Sequence, residues 1–185
     1  MTLAAENLAF VALTGGGPGG IVSLTTPVVV TSSTTETKLL QAVLAANLLT
    51  VGMTFRVQAY GVAGTTTSAP TMTWRVRIGP TTLTGTIALS IAPTPATSQT
   101  NKPWTLDALI TVRSIGASGT HIGNGRLWSE LSTTLAQANK GSATVAAVAV
   151  NTTIQNLLEL TFQFGTSNAA NTLTVHNATI EIVKA

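Results

Sequence analysis

The stretch "NLLTVGMTFRVQAYG", Asn47–Gly61, decides the fold class. Met53, Phe55, Val57 and Ala59 alternate with Thr54, Arg56, Gln58 and Tyr60, the period-two pattern of a strand that buries one face and leaves the other free. The same alternation returns in "TMTWRVRIG" (Thr71–Gly79), "WTLDALITVRS" (Trp104–Ser114), "LLELTFQFG" (Leu157–Gly165) and "TLTVHNATIEIV" (Thr172–Val183). In the last of these the apolar set changes parity near Asn177, which predicts a bulge. Shorter candidates are Pro27–Thr31, Thr37–Leu44, Thr84–Ile91 and Ala143–Val150. About nine strands separated by Gly, Pro, Ser and Asn turns predict an all-β sandwich or barrel. "WSELSTTLAQANKG", Trp128–Gly141, reads either as a short helix stopped by Gly141 or as a long loop.

A chain of 185 residues is long enough for one self-sufficient core. Charged residues make up 8 %, against roughly a quarter in ordinary soluble domains, while threonine alone supplies about a fifth. Its branched Cβ suits extended backbone. The polar surface is therefore built from Thr, Ser, Asn and Gln, and a formal charge of +3 gives little mutual repulsion. Such a surface is expected to be covered in part by copies of the chain or by a larger assembly.

The pI near 9.8 comes from a small cationic surplus. The Lys and Arg residues are scattered from Lys38 to Lys184, with only Arg75 and Arg77 alternating closely, whereas nucleic-acid binders concentrate basic charge on a face or tail. There is no cysteine, hence no disulfide framework and no thiolate metal site. Met1–Phe10 carries Glu6 and no basic residue, which does not read as a secretory leader. The longest apolar run, Val145–Val150, is too short for a membrane span. The organisation expected is an N-terminal arm over residues 1–26, with Gly15–Gly20 holding five glycines around a proline, and a sandwich over residues 27–185. The arm is either a flexible lead-in or a segment that lays Leu8, Phe10 and Val11 on a neighbouring subunit.

The run Thr35–Gly61, followed by "TWRVRIG" (Thr73–Gly79) and ending in "TLTVHNATIEIV" (Thr172–Val183), resembles small jelly-roll proteins of tailed-bacteriophage virions. These are capsid decoration or cement proteins and the terminal knobs of head or tail fibres, many shaped like the tumour-necrosis-factor trimer. The resemblance covers roughly residues 27 to 185 and rests on strand order, the "NLLTVG" turn and Thr-rich composition. It implies a jelly-roll β-sandwich of about eight to nine antiparallel strands, assembled as a homotrimer in which one sheet of each subunit packs about the threefold axis.

Little reads as chemistry. A nucleophilic triad drawn from His121, His176 and Asp107 is cheap in a chain so rich in Ser and Thr. His176 reads more simply as a residue of the last strand, and His121, in "SGTHIGNG", as a loop residue. Among Glu6, Glu36, Asp107, Glu130, Glu159 and Glu181 no pair is spaced as for glycoside cleavage. Two distant histidines without an acidic loop supply no metal-ligand spacing, and the Gly15–Gly20 run lacks the Gly-Lys-Ser/Thr ending of a phosphate loop. No catalytic, cofactor or metal site is expected. Trp74 and Trp104 fall on apolar strand faces and read as core. Trp128, beside Arg126, reads as core, subunit contact or carbohydrate platform. The candidate interface residues are Phe10, Arg56, Tyr60, Arg126 and Trp128.

The leading function is a non-enzymatic virion protein, made in the host cytoplasm, that cements a phage capsid. Its expected partners are itself, as a homotrimer, and the major capsid protein, with neither direct nucleic-acid contact nor a membrane. The nearest rival is a receptor- or glycan-binding fibre knob, which would need a shaft where only about 25 residues precede the first core strand. A shell-forming coat protein would need an Arg-rich arm, and no Lys or Arg precedes Lys38. A cytokine-like ligand is the remaining possibility.

Overall fold

The computed structural model describes residues 21–134, 138–144 and 146–184. Phe10 and the Gly15–Gly20 run lie outside the described residues. Twelve strands are present: β1 (Ile21–Ser23), β2 (Val28–Thr31), β3 (Thr37–Leu44), β4 (Thr54–Gly64), β5 (Met72–Gly79), β6 (Thr86–Ile91), β7 (Lys102–Ser114), β8 (Gly119–Ser129), β9 (Asn139–Ala143), β10 (Val148–Val150), β11 (Asn156–Phe164) and β12 (Thr172–Lys184).

They form two antiparallel sheets. The larger has eight strands, in the order β1-β12-β4-β7-β8-β10, with β2 also on β12 and β9 also on β8; the smaller runs β3-β11-β5-β6. Four pairings are nested along the chain: β5 with β6, β4 with β7, β3 with β11, and β2 with β12. Rolling such a nest puts successive pairs in alternate sheets, the double Greek key of a jelly roll. The three strands beyond the expected eight to nine are β1, paired with β12, and β8 and β9. With β10, the last two form an insertion between β7 and β11 that widens the larger sheet.

The alternating residues fill the space between the sheets. Phe55 and Val57 of β4, Trp104, Leu106 and Ile110 of β7, Trp74 and Val76 of β5, and Phe162 and Phe164 of β11 are all essentially inaccessible. Trp74 and Trp104 meet across the sandwich, ring centroids 5.4 Å apart; Phe162 stands edge-on to Trp74 at 4.9 Å and to Phe164 at 4.7 Å. Such tilted and edge-to-face arrangements suit the aromatic quadrupole. The parity change in the last strand is a break in register against β4 between Val175 and Asn177. His176 occupies the bulge and is exposed, so Val175 and Ala178 can both face the core.

Two local expectations are overturned. The Trp128–Gly141 segment does not form one helix: Trp128 and Ser129 end β8, paired with Thr105 and Trp104, while Asn139–Gly141 belong to β9, which folds back onto β8. Tertiary pairing has overridden a weak local helix preference. His121 is not a loop residue but lies on the inner face of β8, fully buried. Neither of its ring nitrogens has a hydrogen-bond partner among the described residues, and burial pushes its pKa down to about 4.

Candidate functional site

The two sheets differ in what they present to the outside. On the four-stranded sheet, Glu36, just before β3, lies over Arg75 and Arg77 of β5. Arg77 donates through Nε and Nη2 to the two Glu36 carboxylate oxygens at 2.7 and 2.8 Å, Arg75 Nη1 donates at 3.1 Å, and the Thr161 hydroxyl adds a further bond. Burial alone would push the Glu36 carboxyl up, but hydrogen bonds from Arg77 and Thr161 and the charges of both arginines outweigh it and hold it below the ordinary carboxylate range. Glu159 is buried on β11 and accepts a 2.8 Å bond from the backbone N–H of Leu83, in the β5–β6 turn. Gln163 takes up Arg75 and donates to the Thr34 carbonyl. Loops and charges of the chain itself thus engage most of this face, although the buried Glu159 Oε1 has no hydrogen-bond partner among the described residues.

No other described element covers the outer face of the eight-stranded sheet. Its side chains stand in three rows across the strands, fixed by register. The first row is Asn177, Tyr60, Thr105, Trp128 and Asn139; the second is Thr179, Gln58, Asp107, Arg126 and Gly141; the third is Glu181, Arg56, Leu109, Asn124 and Ala143. Tyr60 is 52 % exposed, and Leu109 and Trp128 44 % each. Arg56 meets Asp107 as a fork, Nε to Oδ1 and Nη2 to Oδ2, both at 2.8 Å. This fork holds the Asp107 carboxyl below its ordinary range and raises the guanidinium further.

Two depressions flank Thr105. One, of about 390 Å³, is walled by Trp128 and lined by Thr105, Asp107, Leu109, Asn124 and Arg126. The other, of about 260 Å³, is walled by Tyr60 and lined by Gln58, Thr105, Asn177 and Thr179. With Tyr60 on β4 and Trp128 on β8, one strand apart on either side of β7, strand spacing puts their backbones roughly 10 Å apart. Asp107 gives both oxygens to Arg56, and its cross-strand neighbour Arg126 makes no ion pair with a carboxylate among the described residues. Nor do Gln58, Thr105, Asn124 and Asn177 have side-chain hydrogen bonds there.

Of the candidate interface residues, Arg56, Tyr60, Arg126 and Trp128 come together on this one face, while Phe10 lies outside the described residues. The alternation of Trp104–Ser114 puts Thr105 and Asp107 on the polar side of their strand, but neither they nor Asn124 and Asn177 were among the interface candidates, because the pairing of Asp107 with Arg56 and the alignment of the rows depend on strand register. Trp74 and Trp104 are in the core as expected. Among the described residues no group of three or more His, Asp or Glu side chains is arranged to hold a metal.

No protein-family model and no curated protein matches the chain. Among solved structures it is similar, at 10 % identity, to a chain of the infectious bursal disease virus Gt strain, over 99 % of this chain and 36 % of that one (TM-score 0.34). It is likewise similar, at 10 % identity, to the CBM2 module of the evolved Dit of Lactobacillus casei BL23 phage J-1, over 78 % of this chain and 69 % of that one (TM-score 0.32). The corresponding figures for the infectious bursal disease virus Gx strain are 10 %, 99 %, 47 % and 0.27. The chain spans about a third of the length of the first of these. Likeness at this level leaves the function to be argued from the chain's own surface.

Proposed function

We propose that the protein is a non-enzymatic structural component of a phage virion, a decoration or cement protein that works as a homotrimer and binds between capsomers of the major capsid protein. The observation that carries this reading is a jelly-roll sandwich with very little free charge on its surface. Only fifteen of the 185 residues are Lys, Arg, Asp or Glu, and the Glu36, Arg75 and Arg77 cluster and the Arg56–Asp107 fork pair five of them, so the surface is mostly Thr, Ser, Asn and Gln, which cost less to desolvate against a neighbour than charges do. Contacts of about 1,600 Å² in total suffice for a specific interface. A cement acts by mass action, because it binds the assembled shell and not its dispersed parts.

The test is light scattering of the purified protein, followed by binding to expanded capsids. A trimer that binds capsids and delays heat release of DNA is expected. A monodisperse monomer refutes the trimer, and unchanged heat release on removal of the protein refutes cementing. A second reading, a fibre knob that reads a receptor or glycan, is favoured by the two aromatic-walled depressions.

A further inference from the structure

We propose that the outer face of the eight-stranded sheet binds an acidic glycan: an extended saccharide chain laid across β4, β7 and β8, stacked on Tyr60 and Trp128, with one of its carboxylates on Arg126. The inference goes beyond the structural role above and rests on it only in needing this face to be uncovered on the assembled particle.

Four observations converge. First, the two exposed rings stand on one row, about two strand spacings apart. That span fits two units of an extended saccharide, so one ring can stack on a sugar while the other takes its next-but-one neighbour. Second, each ring walls its own depression and the two depressions share Thr105 as a common wall, so they lie side by side along the row that carries both rings. Third, the depressions are lined by amides, Asn124 in the one walled by Trp128 and Gln58 and Asn177 in the one walled by Tyr60. A primary amide offers a donor and an acceptor side by side, which matches adjacent hydroxyls on a sugar ring, and these amides are free among the described residues.

The fourth observation sets the charge of the ligand. Asp107 lines the depression walled by Trp128, but its carboxylate is neutralised by the two bonds from Arg56, so it does not repel an anion strongly. Arg126, exposed beside it, has no anionic partner among the described residues. A free guanidinium pairs with a planar carboxylate in a fork, and a neutral glycan would leave that capacity unused.

A protein partner fits the face less well. The centre of a protein interface is closely packed, whereas here open depressions lie either side of Thr105, and Asp107 and Arg126 stand in the middle row, with Arg56 reaching Asp107 from the third. A second protein would have to desolvate these groups and fill both depressions. A saccharide fills them with ring faces and hydroxyls.

The experiment is titration of the full-length protein with a panel of oligomannuronate, oligogalacturonate and sialylated oligosaccharides, each beside its carboxyl-reduced form, together with light scattering of every variant. Binding by at least one carboxylate-bearing oligosaccharide is expected, and carboxyl reduction should weaken it about tenfold or more, the loss of one charge-assisted hydrogen bond. Arg126→Met should bind the acidic and reduced forms equally. Trp128→Ala and Tyr60→Ala should each lose most of the affinity, with the oligomeric state unchanged. The inference is overturned if no carboxylate-bearing oligosaccharide binds, if the reduced forms bind as well as the acidic ones, or if Trp128→Ala and Tyr60→Ala dissociate the oligomer while glycan binding persists. A monomer that binds acidic glycan through these residues would remove the trimer and leave the inference standing; a capsid-binding trimer that binds no glycan would do the reverse.

Discussion

Replacing Glu36 by Gln tests whether the four-stranded sheet is locked by its own charges. Glu36 and its two arginines expose only 14–19 % of their side chains, so they are far less screened than a surface pair. The variant keeps one acceptor oxygen but places an NH₂ group against a guanidinium, so at least one arm of the Arg77 fork is lost. The Arg75 bond is weakened and two cations remain close together. Breaking a fully buried pair costs about 3–5 kcal/mol. Here Arg77 keeps its bond to the Gly85 carbonyl and Arg75 keeps Gln163, so about 2–3 kcal/mol is the reasoned loss. At about 2–4 °C per kcal/mol for a chain of this size, Tm should fall by roughly 5–10 °C at pH 7. The pH dependence follows from the direction of the shift. Because the Glu36 carboxyl is held below its ordinary value, its contribution is complete above the unfolded value of about 4.3. It is then lost as pH falls through the depressed folded value. Thermal or urea unfolding at pH 7 and at pH 2.5 should show the gap between wild type and Glu36→Gln closing in acid. A variant within 1 °C of wild type at pH 7, or a gap unchanged in acid, would refute the locking role.

Two further changes probe the interior. Gly123→Ala would place a Cβ 2.1 Å from the Ala88 carbonyl oxygen of β6; the sheets must part there, at a cost of about 1–3 kcal/mol or more, and a urea midpoint equal to wild type would contradict the close approach. His121→Met should be neutral or stabilising at pH 7, since it removes ring nitrogens without partners, and it should flatten the acid response. In wild type the unfolded ring takes a proton near 6.5 while the folded ring resists until about 4, so stability falls by roughly 1.4 kcal/mol per pH unit within that window; parallel wild-type and variant curves between pH 6.5 and 5 would contradict it.

Strands whose core face is made of large apolar residues were legible in the sequence. β4, β5, β7, β11 and β12 each announce themselves by alternation, and even the bulge at His176 is visible as a change of parity. β8 was not legible, because its pattern is inverted: Gly119, His121 and Gly123 face inward while Ile122 and Trp128 face outward. The reason is the short distance to β6, where the Ala88 carbonyl and the Leu89 side chain leave no room for a Cβ at Gly123 or Gly125. Over Gly119–Gly125 hydrophobicity therefore marks the wrong face, with Leu127 alone restoring an apolar residue to the inner side, and the glycines that suggested a loop are what allow the strand to pack. The Glu36 cluster was hidden for a different reason. It joins residues 39 and 125 positions apart, and only the registers of β11 with β3 and β5 bring them together.

The same inversion explains where the binding face comes from. The nested pairs β2–β12, β3–β11, β4–β7 and β5–β6 already make a closed sandwich, and on that minimal fold β7 would be an edge, with Thr105, Asp107 and Leu109 at the rim. The β8–β10 insertion covers that edge, which removes an aggregation hazard, and it brings Asn124, Arg126 and Trp128 alongside. Because glycines let β8 sit close to β6 on the inside, Asn124, Arg126 and Trp128 project outward while His121 and Leu127 point into the core. The face is thus shared, with Asn124, Arg126 and Trp128 from the added strand and Gln58, Tyr60, Thr105, Asp107 and Asn177 from the sandwich that supports it. Changes on the outer side of β8 should alter what the protein binds far more than whether it folds, and changes on its inner side the opposite.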